Sequence, residues 1–92
     1  MAGTFHLAVL TPDRTVFDGP VEYVEVPGTE GYMGVLAHHA PLVTGLTRGR
    51  LTLRHAGGRQ ESLEVAGGFF EVSHNRATVL ADDVRGELTA AH

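Results

Sequence analysis

Cysteine is absent from the 92 residues, and lysine is absent too, since all seven basic residues are arginine. Without cysteine there is no disulfide staple, no thiolate zinc site and no cysteine nucleophile. The absence is compatible with a reducing compartment. The seven arginines stand against eleven carboxylates, and Arg48, Arg50 and Arg54 do not form a dense patch, so counterion release has little to work with. Nucleic acid is not expected as a partner. No stretch approaches the roughly 18 apolar residues of a membrane span. The opening "MAGTFHLAVLTPD" has no positively charged region ahead of a long apolar run, so no signal peptide is expected. Membrane association is expected only through a partner. Helix signals are scarce as well. The tail "DDVRGELTAAH" could open a helical turn at Asp82 or Asp83, but Gly86 and the short length favour fraying over residues 83–92.

What is present is periodicity near two. In "TFHLAVL", Phe5, Leu7 and Val9 alternate with His6, Ala8 and Leu10. "VEYVEV" sets Glu22, Val24 and Val26 against Val21, Tyr23 and Glu25, and "GRLTLRH" sets Leu51 and Leu53 against Arg50, Thr52 and Arg54. "RTVFDG" reads as a further short strand between turns. "AGGR" is a hairpin turn in which Gly57 and Gly58 supply positive φ, and "HNR" is a second, with Asn75 left-handed. Short strands with turn signals every 8 to 12 residues favour an all-β sandwich or barrel. Residues 1–92 read as one domain, small enough to bury only roughly 60 to 65% of its unfolded surface, so a well-patterned core, or partners, must hold it together.

The densest feature is "PGTEGYMGVLAHHAPLVTGL", Pro27 to Leu46. Gly28, Gly31 and Gly34 do not have dinucleotide-loop spacing, and Pro41 discourages a following helix, so phosphate binding is not supported. His38 and His39 are adjacent, and in extended chain they point to opposite faces, away from any common metal. The only serines, Ser62 and Ser73, lie in alternating strands without a nucleophile elbow. Glu22, Glu25, Glu64 and Glu71 occupy alternating strand positions on solvated or interface faces. No catalytic residue, metal site or cofactor site emerges. Val35 and Leu36 are expected to plug the core, whereas Tyr32, flanked by Gly31 and Glu30, is expected to be exposed and available for contact.

The run "EGxxGVLxxHAPL" (Glu30 to Leu42) is long and specific. With the stretch from Phe5 to Leu51 and a second signature, "VAGGFFEVSHNRATVLAD" (Val65 to Asp82), it resembles the N-terminal β-sandwich domain of the ε subunit of F-type ATP synthases. The resemblance implies an all-β, ten-stranded β-sandwich of two five-stranded sheets. It implies a non-catalytic central-stalk rotor subunit without cofactor, docking the γ subunit onto the c ring and coupling ion flow to ATP synthesis. Such a subunit is peripheral, on the cytoplasmic face of a bacterial plasma membrane. Carried over by position, Gly28, Thr29, Glu30, Gly31 and Tyr32 would meet the c ring, and Thr11, His39, Ala40, Pro41 and Thr44 would face γ. The family commonly has Pro-Gly or Pro-Asn where this chain has Ala37 and His38. Most members continue after "VLADD" into a helical hairpin, ahead of which this sequence ends, so hairpin inhibition and ATP sensing are not carried over. The alternative reading is a free-standing β-sandwich module for a small ligand or carbohydrate.

Overall fold

A computed structural model describes residues 3–86. They form β1 (Phe5–Leu10), β2 (Thr15–Gly28), β3 (Gly31–Leu36), β4 (Leu42–His55), β5 (Gln60–Ser73), β6 (Arg76–Ala81) and β7 (Val84–Arg85). The strands run β1-β6-β5-β4-β2 and then close, because β1 also pairs with β2; β3 adds to β2, and β7 to β5. The β1–β6 pairing is parallel and the others are antiparallel.

Among the described residues, seven strands in one sheet, five of them closed into a barrel, stand where ten in two five-stranded sheets were expected. The reason is the length of β2, β4 and β5, 14 residues each, so that one strand serves where two were counted. The segments "RTVFDG" and "VEYVEV" are thus parts of a single β2. Its register against β4 shifts between Val21 and Tyr23 and again between Glu25 and Gly28, and such bulges bend a strand without ending it. β5 changes direction at Gly67 and Gly68, where φ is 79° and 117°, values that favour glycine.

Alternation builds the core. Phe5, Leu7 and Val9 of β1 point inward, as do Leu51 and Leu53 of β4. No polar or charged side chain is buried among the described residues. The bulge after Val21 changes the face on which following residues fall, so Val21, Val24 and Val26 are all fully buried. Strict alternation would have put Val21 beside Tyr23. At β3 the pleat separates two neighbours: Val35 is 1% exposed but Leu36 is 53% exposed, so only Val35 plugs the core. After Asp83 the chain makes neither a helical turn nor a frayed end at once: Val84 and Arg85 pair with Val65 and Glu64, and Val84 is buried. The rest of the expected frayed tail, residues 87–92, lies outside the described residues.

Both hairpin turns form as read. Gly57 and Gly58 have φ of 99° and 100°, and Asn75 has φ of 59°, joined by His74 at 54°. The β4–β5 hairpin is tied by polar contacts near its end: His55 Nε2 lies 2.6 Å from Glu61 Oε2, and Arg59 Nη1 lies 2.9 Å from the same oxygen.

The glycines should differ sharply in tolerance. A Cβ on Gly68 would press into the Leu80 carbonyl oxygen in a backbone conformation that side chains rarely adopt, whereas one on Gly57 would meet open space. Gly68→Ala should therefore cost about 3 kcal/mol or more, combining strain and overpacking, and Gly57→Ala only about 1 kcal/mol. Urea unfolding of the two variants checks the order.

Candidate functional site

Two surface features flank the closed barrel, and a third connects them. The first is the β2–β3 tip. Gly28 and Gly31 face each other in the ladder, and a Cβ on Gly28 would sit 2.9 Å from the Gly31 carbonyl oxygen, so glycine at 28 permits the close approach. Gly28 itself is buried, which leaves Thr29, Glu30, Gly31 and Tyr32 as the exposed part of the expected contact set. The tip is anchored, since the Thr29 N–H donates to the Gly45 carbonyl at 3.0 Å. Tyr32 is 58% exposed, yet its hydroxyl accepts the Arg50 N–H at 3.1 Å. Its ring thus reaches across β2 over Pro27 and Gly49, where a Cβ on Gly49 would meet Tyr32 Oη at 2.7 Å. Sequence reasoning found the exposure of Tyr32 but missed this tether, which depends on the absence of a side chain at position 49.

The second feature is the β3–β4 loop. His39, Ala40 and Pro41 are exposed, and His39 Nδ1 lies 2.7 Å from the Ala40 carbonyl oxygen. His38 is not in extended chain: its φ is 64°, and its N–H donates to Asn75 Oδ1 at 2.7 Å. The two histidines are separated by this left-handed residue rather than by strand alternation. Among the described residues no three His, Asp or Glu side chains converge to hold a metal ion.

The remaining expected residues do not join that loop. Thr44 pairs with the buried Phe70 and so points toward the interior; it is half-buried and, with Gly28, Glu30, Gly31, Tyr32 and Met33, lines a depression of about 330 Å³ beside the tip. Thr11 organises the β1–β2 turn, its hydroxyl accepting the N–H groups of Asp13 and Arg14 at 3.3 and 3.2 Å. It follows the C-terminal end of β1, while the His38 loop is tied near the other end. A strand of six residues lies between them, roughly 20 Å.

The third feature was not singled out from the sequence. Val43, Phe69 and Leu80 are 70%, 61% and 50% exposed. Phe69 pairs with Leu80 on one side and Gly45 on the other, and Leu80 pairs with Leu10. Paired residues share a face, so Leu80 and Phe69 form an apolar stripe across the outside of the barrel from the β1 end near Thr11, and Val43 of β4, paired with Glu71, extends it diagonally past Gly45. Thr29 Cγ2 covers the bare backbone of Gly45, lying 3.1 Å from where a Cβ would stand, so the tip and the stripe are continuous. The signal was available: "GGFF" places one phenylalanine on each face of a strand whose other face is already full.

The chain matches the family model for the ATP synthase delta/epsilon chain β-sandwich domain over residues 4–86. It is similar to the ATP synthase epsilon chain of Nitrobacter winogradskyi, with 48% identity over 79 residues, covering 86% of this chain and 58% of that one. To the ATP synthase epsilon chain of Desulforamulus reducens it is 44% identical over 82 residues, covering 89% and 61%. This chain thus spans about three-fifths of the length of these curated relatives. Among solved structures, it resembles a chain of the Euglena gracilis mitochondrial ATP synthase OSCP/F1/c-ring assembly, with a TM-score of 0.83, 26% identity and coverage of 88% of this chain and 52% of that one. A chain of the Tetrahymena thermophila mitochondrial ATP synthase central stalk and c-ring shares the fold, with a TM-score of 0.75 at 13% identity, covering 90% and 66%.

At the end of the β2–β3 ladder away from the tip, Tyr23 leans over Gly34, and the Arg54 guanidinium lies 5.1 Å from its ring centre. Burial, then the Glu25 charge and a hydrogen bond to Glu25, raise the Tyr23 phenol above its ordinary value of 10.0, with Arg54 opposing. A raised folded-state value means that the neutral phenol contributes stability fully below pH 10.0, and that this contribution is lost as pH rises through the folded-state value. Tyr23→Phe should therefore flatten part of the alkaline loss of stability; chemical denaturation followed from pH 8 to above pH 11 (a range set by the tyrosine titration) measures it.

Proposed function

The chain belongs to the family of the ATP synthase delta/epsilon chain β-sandwich domain, and on that footing we propose that it is a non-catalytic rotor subunit of the central stalk. It docks the γ subunit onto the c ring and so couples ion translocation to ATP synthesis. It lies at the cytoplasmic face of the bacterial plasma membrane and is held there only through the complex.

What supports this reading is the continuity of two different surfaces on one rigid body. The tip offers a short polar contact, with Thr29, Glu30 and the Tyr32 ring exposed and the backbone beneath them pinned by Gly45 and Arg50. It suits the polar loops of a ring. The flank offers apolar area in Val43, Phe69 and Leu80, with His39, Ala40 and Pro41 just ahead of Val43 in the chain and Thr11 just after Leu10. It suits a large protein partner, which here is γ. Thr44, half-buried, and Gly28, buried, are the least exposed members of the two expected contact sets, and both line the depression beside the tip. A rotor element has to transmit torque without yielding, and a closed sheet with an apolar interior is stiff enough to do so.

Added to membranes whose ATP synthase lacks its ε subunit, the protein should restore ATP-driven proton pumping; failure to bind and to restore coupling would sink the reading. The two surfaces should separate by mutation. Phe69→Ser with Leu80→Ser should weaken association with γ at least tenfold (about 1.4 kcal/mol) with a smaller loss of folding stability than a core substitution, because half or more of each side chain is already exposed. Glu30→Ala with Tyr32→Ala should weaken docking on the c ring while γ is still bound. Affinity measured separately for γ and for the γ and c-ring assembly distinguishes the two effects.

A further inference from the structure

Among the described residues three non-glycine residues have left-handed backbone, His38, His74 and Asn75, with φ of 64°, 54° and 59°. All three meet at one corner of the barrel. His74 and Asn75 are the two central residues of the β5–β6 hairpin, whose flanking residues Ser73 and Arg76 pair, and both need positive φ for a turn of this length. Glycine would satisfy position 75 at least cost. Asparagine there brings something glycine lacks, a side chain with one acceptor and one donor group.

Both groups are used, and far from the turn. Asn75 Oδ1 accepts the His38 N–H at 2.7 Å, bridging 37 residues. Asn75 Nδ2 donates to the Thr4 carbonyl at 3.1 Å, bridging 71 residues. The Asn75 backbone carbonyl accepts the His6 N–H at 3.3 Å. One residue therefore joins the start of β1, the β3–β4 loop and the β5–β6 turn. Gly3 runs beside Ala37, with only the space of an ordinary van der Waals contact left between them, so the same parts lie next to each other. The bond thus ends on a residue whose own backbone is left-handed, at the point where the loop turns toward His39.

We propose that Asn75 is a positioning residue: through its side-chain bond to the His38 N–H it sets the path of the loop His38–Pro41, and hence the surface that this loop presents beside Val43. The second half of the statement rests on the reading that this surface meets γ. The first half does not.

The test compares Asn75→Gly and Asn75→Asp with the unaltered chain. Glycine keeps the turn and relieves its backbone while removing both side-chain bonds. Aspartate keeps an acceptor for the His38 N–H but cannot donate to Thr4. NMR hydrogen exchange at the His38 amide should quicken at least tenfold in Asn75→Gly and stay within about threefold of the unaltered chain in Asn75→Asp, a tenfold change being about 1.4 kcal/mol of opening free energy. Core amides such as those of Leu7 and Val79 should not change in either. Affinity for isolated γ should fall in Asn75→Gly and recover in Asn75→Asp. Unchanged His38 exchange in Asn75→Gly, equal quickening in both variants, or a uniform rise at all amides would each overturn the positioning role. Quickened exchange at His38 with undiminished γ affinity would overturn the link to the γ surface alone. If the unaltered chain does not bind γ, the functional reading falls, and the exchange data still decide the role of Asn75.

Discussion

β1 is hydrogen-bonded along both edges, to β2 antiparallel and to β6 parallel, and the rest of the structure depends on this double pairing. Without it the sheet would be an open ribbon with an unpaired edge at each end. With it, five strands enclose an interior filled by Leu7, Val9, Val24, Leu53, Val65 and Val79, each with no exposed surface. A parallel neighbour cannot be joined by a tight hairpin, so β1 and β6 come together only once the intervening chain has folded. Most of the stabilising contacts are therefore long-range, and closure is expected to be the late step in folding. Among the described residues, the strands added outside the closed path, β3 and β7, are both short, six and two residues.

The strands were legible because one face of each is buried and the other wet, which imposes a period of two wherever the strand is regular. The turns were legible because Gly57, Gly58 and Asn75 tolerate positive φ. Their number was not legible. Alternation says nothing about whether a strand ends or merely bends, and the bulges in β2 and the glycine pair in β5 bend strands that composition would divide. The same bulge explains Val21, whose burial contradicts simple parity. Leu36 was misplaced for a different reason: hydrophobicity was weighed there more heavily than the pleat, which had already committed Val35 to the interior.

The candidate surfaces were legible by resemblance for the tip and the β3–β4 loop, and by no local pattern for the apolar stripe. Its members are 26 and 11 residues apart along the chain (43, 69 and 80) and become neighbours only through the register of β4, β5 and β6. The same register moved Thr44 inward, next to Phe70, away from the loop that precedes it in sequence. Tyr32 lies between these cases. Its flanking residues forecast exposure, but its tether to Arg50 needs β2, β3 and β4 in place and a glycine at 49.

The departure at Ala37 and His38 has a physical account in this frame. Position 38 is left-handed, and glycine and asparagine, the residues that fit such a backbone best, are those the family resemblance leads one to expect. Histidine there, and asparagine rather than glycine at 75, each carry a backbone cost of the order of 1 kcal/mol. The two costs fall on partners joined by a single hydrogen bond of 2.7 Å, so neither is isolated. A loop held by permissive glycine backbone would be free to move. One held by two constrained residues joined by a hydrogen bond is stiffer, and stiffness at that corner is what the proposed docking surface would require.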